Sequence, residues 1–230
     1  MLKRLLNVLI VAALQIAGTV GAADFAVLGT RSARLEGTIV GRYFSLVFAP
    51  VSAKAAGDGL YRISVYQDRQ IPYYTGMSPV ATTMLTCLAS TCSRAVEAPI
   101  TNAPYIVGIG AAAGEIATTV SFAPGNRTGA PFQSSVSVAW VGINSIVVAY
   151  TMPAGYRPPR SGAWLGLWAG TELAGVPPLA TVSIDSDMAQ DVQAINGLDM
   201  RNDATYTVGL SPGPGNNGIS ALAVFKTAAF

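Results

Sequence analysis

Apolar and polar positions alternate along much of the chain with the period of a β-strand. Ser135 to Val141 sets Val136, Val138 and Trp140 on one face, the two-residue repeat of a half-buried strand. Ser145 to Tyr150 is a β-branched run, and Ala163–Trp168, Leu179–Ile184, Thr205–Leu210 and Ile219–Phe225 read the same way. An earlier set runs Phe44–Phe48, Leu60–Tyr66, Pro79–Leu85, Tyr105–Ile109 and Ile116–Phe122. Clusters of Pro, Gly, Asn and Asp punctuate these runs, for example at 152–155, 157–162 and 211–218. Short strands with turn signals at this spacing predict an all-β chain of antiparallel sandwich type. Outside the first residues no helix is expected. The Gly110-Ala-Ala-Ala-Gly114 stretch lies between two strands and reads as a hairpin loop.

The two sets of strands follow one another in the same order, offset by about 100 residues. Ser45–Ala49 matches Ser145–Ala149. Gly59, Ile63, Val65 and Tyr66 match Ser161 or Gly162, Leu165, Leu167 and Trp168. Pro79–Thr82 matches Pro178–Thr181, and Asn102–Ile109 matches Asp203–Leu210. Ile116 and Phe122 match Ile219 and Phe225. An internal duplication into two tandem antiparallel β-sandwich domains follows, of ordinary domain size. The expected boundaries are 24–123 for the first domain, 124–131 for a Pro/Gly-rich linker, and 132–230 for the second.

A strand, a Pro/Gly loop and then Gly162-Ala-Trp-Leu-Gly-Leu-Trp168 resemble immunoglobulin-like or fibronectin-III-like modules. The resemblance implies the Ig-like sandwich architecture alone, because this fold hosts many unrelated functions. The inter-sheet disulfide of antibody-type domains is missing, since both cysteines lie in one short segment.

Composition narrows the chemistry. The 230 residues are 51% hydrophobic and 11% charged, with no His and two Cys. A chain without His has no Ser-His-Asp triad, no Cys-His dyad and no imidazole metal site. Two cysteines cannot close a structural zinc site. So low a charge excludes a nucleic-acid footprint of the usual electrostatic kind. No Gly-x-Ser-x-Gly elbow, phosphate-binding glycine loop or evident carboxylate pair appears, so no enzyme and no cofactor are expected.

The first 23 residues read as a secretory signal peptide. Lys3 and Arg4 precede an apolar run from Leu5 to Ala17, and small residues follow, with Gly21 and Ala23 spaced for cleavage. The run is too short and interrupted for a membrane span, so none is expected in the mature chain. Without Lys3 and Arg4, 12 basic side chains face 12 acidic ones. The expected destination is secreted, periplasmic or cell-surface, and there Cys87 and Cys92 would form one local disulfide. A redox-active pair is the alternative, without the tighter Cys-x-x-Cys spacing.

Three further groups carry candidate chemistry. Asp185, Asp187 and Asp191 could supply oxygen ligands to calcium, or form a solvated turn. Trp164 and Trp168 flank Gly166 and face opposite to Leu165 and Leu167. With the leucines in the core, the tryptophans form an outer strip that stacks a sugar ring or docks a partner, unless loops or the other domain cover it. Tyr73 and Tyr74 fall in a predicted loop as contact candidates. Asn126 heads a glycosylation sequon, and the aromatic terminus at Phe230 invites a barrel reading that the short, Pro/Gly-broken strands oppose.

Zero formal charge on so apolar a chain gives weak protection against self-association. The expected function is an exported, non-enzymatic structural or adhesive protein, a self-assembling filament or coat subunit whose partner is itself. The alternative is a carbohydrate- or ligand-binding module on the Trp164–Trp168 strip, with a surface glycan or protein as partner.

Overall fold

A computed structural model of the chain describes residues 24–51, 60–72, 78–111, 115–173, 176–214 and 218–228. The proposed signal segment and the Tyr73–Tyr74 pair lie outside them. Nearly all regular secondary structure in the described residues is strand. In the first half these are β1 (Phe25–Ser32), β2 (Arg34–Val40), β3 (Tyr43–Ala49), β4 (Leu60–Tyr66), β5 (Ala81–Thr86), β6 (Cys92–Glu97), β7 (Tyr105–Gly110) and β8 (Ile116–Phe122). The second half carries β9 (Ala130–Gln133), β10 (Ser135–Val141), β11 (Ser145–Thr151), β12 (Trp164–Ala169), β13 (Ala180–Ser183), β14 (Gln190–Asn196), β15 (Thr205–Ser211) and β16 (Ala221–Thr227). One helical turn, α1 (Pro158–Ser161), corrects the expectation of no helix. Its Pro-Pro start presets the helical φ, and Gly162 ends it in the left-handed region at φ 69°.

Four antiparallel sheets result. The sheet β2-β3-β6 faces β5-β4-β7-β8-β9, and β10-β11-β14 faces β13-β12-β15-β16-β1. Alternation drives this arrangement. In β2 and β3 every second residue is buried, so Leu35, Phe44, Leu46 and Phe48 meet Tyr61, Ile63, Val107 and Phe122 of the opposing sheet. In the second sandwich Val136, Ile146, Val148 and Tyr150 meet Leu165, Leu167, Val208 and Phe225.

The two units share one plan strand for strand. Each pairs a three-stranded sheet with a five-stranded one in the same order, and the registers agree. Tyr105 lies opposite Phe122 as Tyr206 lies opposite Phe225, and Ser64 opposite Gly108 as Gly166 opposite Gly209. Both tyrosines tie back to the preceding loop. The Tyr105 hydroxyl donates to Pro99 O (2.7 Å) and accepts from Thr101 N (2.8 Å), and that of Tyr206 accepts from Arg201 N (2.8 Å). In one sequence match the alignment needs correction. The β2–β3 turn pairs Val40 with Tyr43, and the β10–β11 turn bonds Gly142 to Ser145. Tyr43, not Ser45, is therefore the counterpart of Ser145, a shift of two residues that preserves the inward face.

The boundaries differ more. β1, expected in the first domain, pairs antiparallel with β16 along the edge of the second sandwich, from Phe25 opposite Thr227 to Ser32 opposite Ala221. β9, which begins inside the expected linker, closes the edge of the first sandwich on β8. Residues 124–131 are no spacer. Ile39 N donates to Arg127 O (2.7 Å) and Gly129 N to Gly37 O (3.0 Å), clamping this segment against β2. The Pro/Gly composition that reads as a linker here makes a turn, with Gly125 at φ 77°.

Cys87 and Cys92 are bonded, with Cα atoms 5.6 Å apart. The bridge spans the step where the chain leaves the five-stranded sheet at β5 and enters the three-stranded sheet at β6. Cys92 faces Phe48 on β3, and the second unit sets Asp191 opposite Tyr150 at the same place. There Ser186 Oγ donates to Asp191 Oδ2 at 2.5 Å. A hydrogen bond spanning the same five-residue separation stands where the first unit has its covalent bond.

Candidate functional site

The outer faces of the two five-stranded sheets are buried against each other. On the second unit this face carries Trp164, Trp168, Thr207 and Leu222, and Trp164, Trp168, Ile219 and Leu222 pack into the first unit's apolar cluster. On the first unit it carries Ser64, Ile106, Thr119 and Ile116, and Ile106 and Ile116 pack into the second unit's cluster. The molecule is thus four sheets deep.

The tryptophan strip sits in this joint. Leu165 and Leu167 point into the sandwich core and are fully buried, so the tryptophans do face outward from their own sheet. They are nonetheless only 8% and 3% exposed. Of the two readings the sequence leaves open, an open strip or a covered one, the structure has the covered one: the rings pack with the first unit's apolar cluster and with Leu173 of their own unit. Their centroids lie 6.0 Å apart. Gly166 and Gly209, paired across β12 and β15, provide the floor: a Cβ on Gly166 would come within 2.6 Å of both rings. The Trp168 indole N–H donates to Val176 O (3.0 Å), whereas that of Trp164 is buried and has no hydrogen-bond partner among the described residues.

The Asp185, Asp187 and Asp191 carboxylates are not brought together as a metal site. Among the described residues no group of three or more His, Cys, Asp or Glu is placed to hold a metal ion. Asp187 pairs with Arg157 (3.1 Å), and Asp191 accepts from Ser186 and from its own neighbour Val192 N (2.8 Å). Asp191 thus ties down the β13–β14 turn through both oxygens, and Asp187 links that turn to Arg157. Asn126 is exposed at the β8–β9 turn. Among the described residues no helix is long and apolar enough to cross a membrane.

Two other features were not legible as sites. An apolar cleft of about 530 Å³ opens at one end of the second sandwich, between Leu167, Leu179, Leu198, Met200 and Tyr206. Glu115, in the β7–β8 loop, reaches across the joint to the backbone at Gly213 and Gly218. Burial there pushes its carboxyl above the usual carboxylate range. β1 presents a different kind of surface. Six of its eight residues are exposed, Val27 and Leu28 by 51% and 57%. An exposed strand has no two-residue apolar pattern, so its place is not legible in the sequence.

The fold and joint define a protein of two tandem antiparallel β-sandwiches with Ig- or fibronectin-III-like architecture. No protein-family model and no curated protein matches the sequence. Among solved structures the chain is similar to a two-domain fibronectin type III segment of chicken tenascin, at 16% identity and TM-score 0.31, covering 90% of this chain and 99% of that one. It is also similar to the FN1–FN3 domains of chicken CNTN1, at 12% identity and TM-score 0.30, over 91% of this chain and 67% of that one. A biofilm-associated protein's BSP domain matches at 16% identity and TM-score 0.23, over 74% of this chain and 24% of that one. These likenesses carry no ligand or partner to this chain.

Proposed function

We propose that this chain is an exported, non-enzymatic structural or adhesive protein that works by assembling with copies of itself. Its two units, in this reading, arose by internal duplication, and residues 1–23 direct export. The observation that carries the proposal is the burial of the tryptophan face. The Trp164–Trp168 surface is consumed in joining the two units, which leaves strand edges as long surfaces available to a partner among the described residues. Those edges belong to a chain with 11% charged residues and formal charge balance after residue 23. A low-charge edge strand templates pairing with another chain. The local disulfide suits an oxidising destination outside the cytoplasm.

The test is particle size by light scattering, with negative-stain microscopy, on residues 24–230 from micromolar concentration upward. Filaments, rings or regular particles that grow with concentration are expected. A monomer of about 21 kDa at every concentration would contradict the proposal.

A further inference from the structure

In the first unit the place beside the last strand, β8, is taken by β9, the strand that leads into the second unit. In the second unit the same place, beside β16, is taken by β1, the strand that leads into the first unit. The correspondence extends to the linking residue and the carbonyl it bonds, through a backbone donor in one unit and a side-chain donor in the other. Ala33, between β1 and β2, donates its N–H to Ser220 O (2.8 Å), and Ser134, between β9 and β10, donates its hydroxyl to Ala117 O (2.8 Å). Each sandwich is therefore completed by the first strand of the unit that follows it, and β1 closes the series into a ring of two.

We propose that the β16 edge is a strand-accepting site whose occupant in the assembled protein is β1 of a second copy. The same ladder that closes one molecule then links one molecule to the next, and assembly proceeds by strand exchange. Three observations favour β1 as the mobile partner. Its side chains bury little, so the ladder bonds and the Phe25–Phe225 ring contact (6.2 Å) hold most of it. A register shift between Val27 and Gly29 interrupts that ladder. A single residue, Ala33, separates β1 from β2, so rotation there redirects the whole strand. Strand exchange makes no new interface type, because every bond in the open form exists in the closed form. Linking head to tail rather than by mutual exchange generates rings or filaments.

This inference rests on the self-assembly reading, and one experiment separates them. Ala26 faces Lys226 across the ladder, both on the side away from the sandwich core. The full-length Ala26→Cys/Lys226→Cys variant is oxidised once when dilute and once after concentration. Dilute oxidation is expected to lock β1 onto its own β16, giving a crosslinked monomer that needs at least tenfold higher concentration to assemble than the reduced form. Oxidation after assembly is expected to give a covalent ladder on non-reducing gels. A locked monomer that assembles like the reduced protein overturns strand exchange and leaves self-assembly standing. A wild-type chain that stays monomeric, with crosslinks confined to single chains, overturns both.

Discussion

Trp164 and Trp168 lie on the same strand face, yet they differ by one hydrogen bond. Trp168→Phe loses the bond to Val176 O as well as ring area, whereas Trp164→Phe removes a buried donor that had no partner among the described residues. Denaturant titration is expected to show the Trp168 change as the costlier. Trp168→Ala should destabilise by about 3–5 kcal/mol, the range for emptying a buried aromatic site. Equal effects of the two Phe variants would remove the distinction. Glu115 supplies a pH signature. Its carboxyl pKa is raised in the folded state, so the fold binds a proton more readily than the unfolded chain. Its contribution to stability is then fully present below the ordinary carboxylate range and is lost as pH rises through the raised value. Glu115→Gln should flatten that slope and raise Tm at neutral pH, measured from about pH 4 to pH 7. Orientation of the two tryptophans was legible from alternation with Leu165 and Leu167. Their burial was not, because the covering surface comes from residues such as Ile106 and Ile116, distant in sequence.

At the scale of elements, the two β-sheet crossovers form a natural pair of experiments. Breaking the first with Cys87→Ser/Cys92→Ser removes a short-loop crosslink and should cost about 2 kcal/mol, the low end for disulfides. The second unit's Ser186–Asp191 hydrogen bond occupies the equivalent place. Ser186→Cys/Asp191→Cys is therefore expected to form a disulfide in oxidised protein, detected by mass and thiol titration, and to raise Tm. Free thiols in the folded variant would show that the two crossovers are not equivalent. Burial explains only part of which strands the sequence reveals, since β2 buries Leu35 and Ile39 and went unread while β5 buries Leu85 alone and was read. β3 and β11 set large apolar residues at every second position and β12 is a continuous apolar run, and all three were legible. β6 and β14 each fully bury a single side chain, Val96 and Ile195, so their pattern is too thin to read. β1 and β9 bury even less and gain their place through ladders to remote strands, which no local pattern encodes.

At the scale of the molecule, the joint between the sandwiches decides how the chain meets its surroundings. With Trp164 and Trp168 inside, the exposed apolar side chains are scattered strand residues such as Val27, Leu28, Val40 and Val192, and assembly is the function proposed for them. With the tryptophans outside, a ligand platform would return. The most direct test is tryptophan emission and acrylamide quenching of a Trp140→Phe chain, in which Trp164 and Trp168 alone report. Blue-shifted emission with slow quenching is expected in dilute monomer, before any assembly, with a red shift only on unfolding. Red-shifted, readily quenched emission from the folded monomer would contradict the buried joint, because the rings would then be open to water and to ligands.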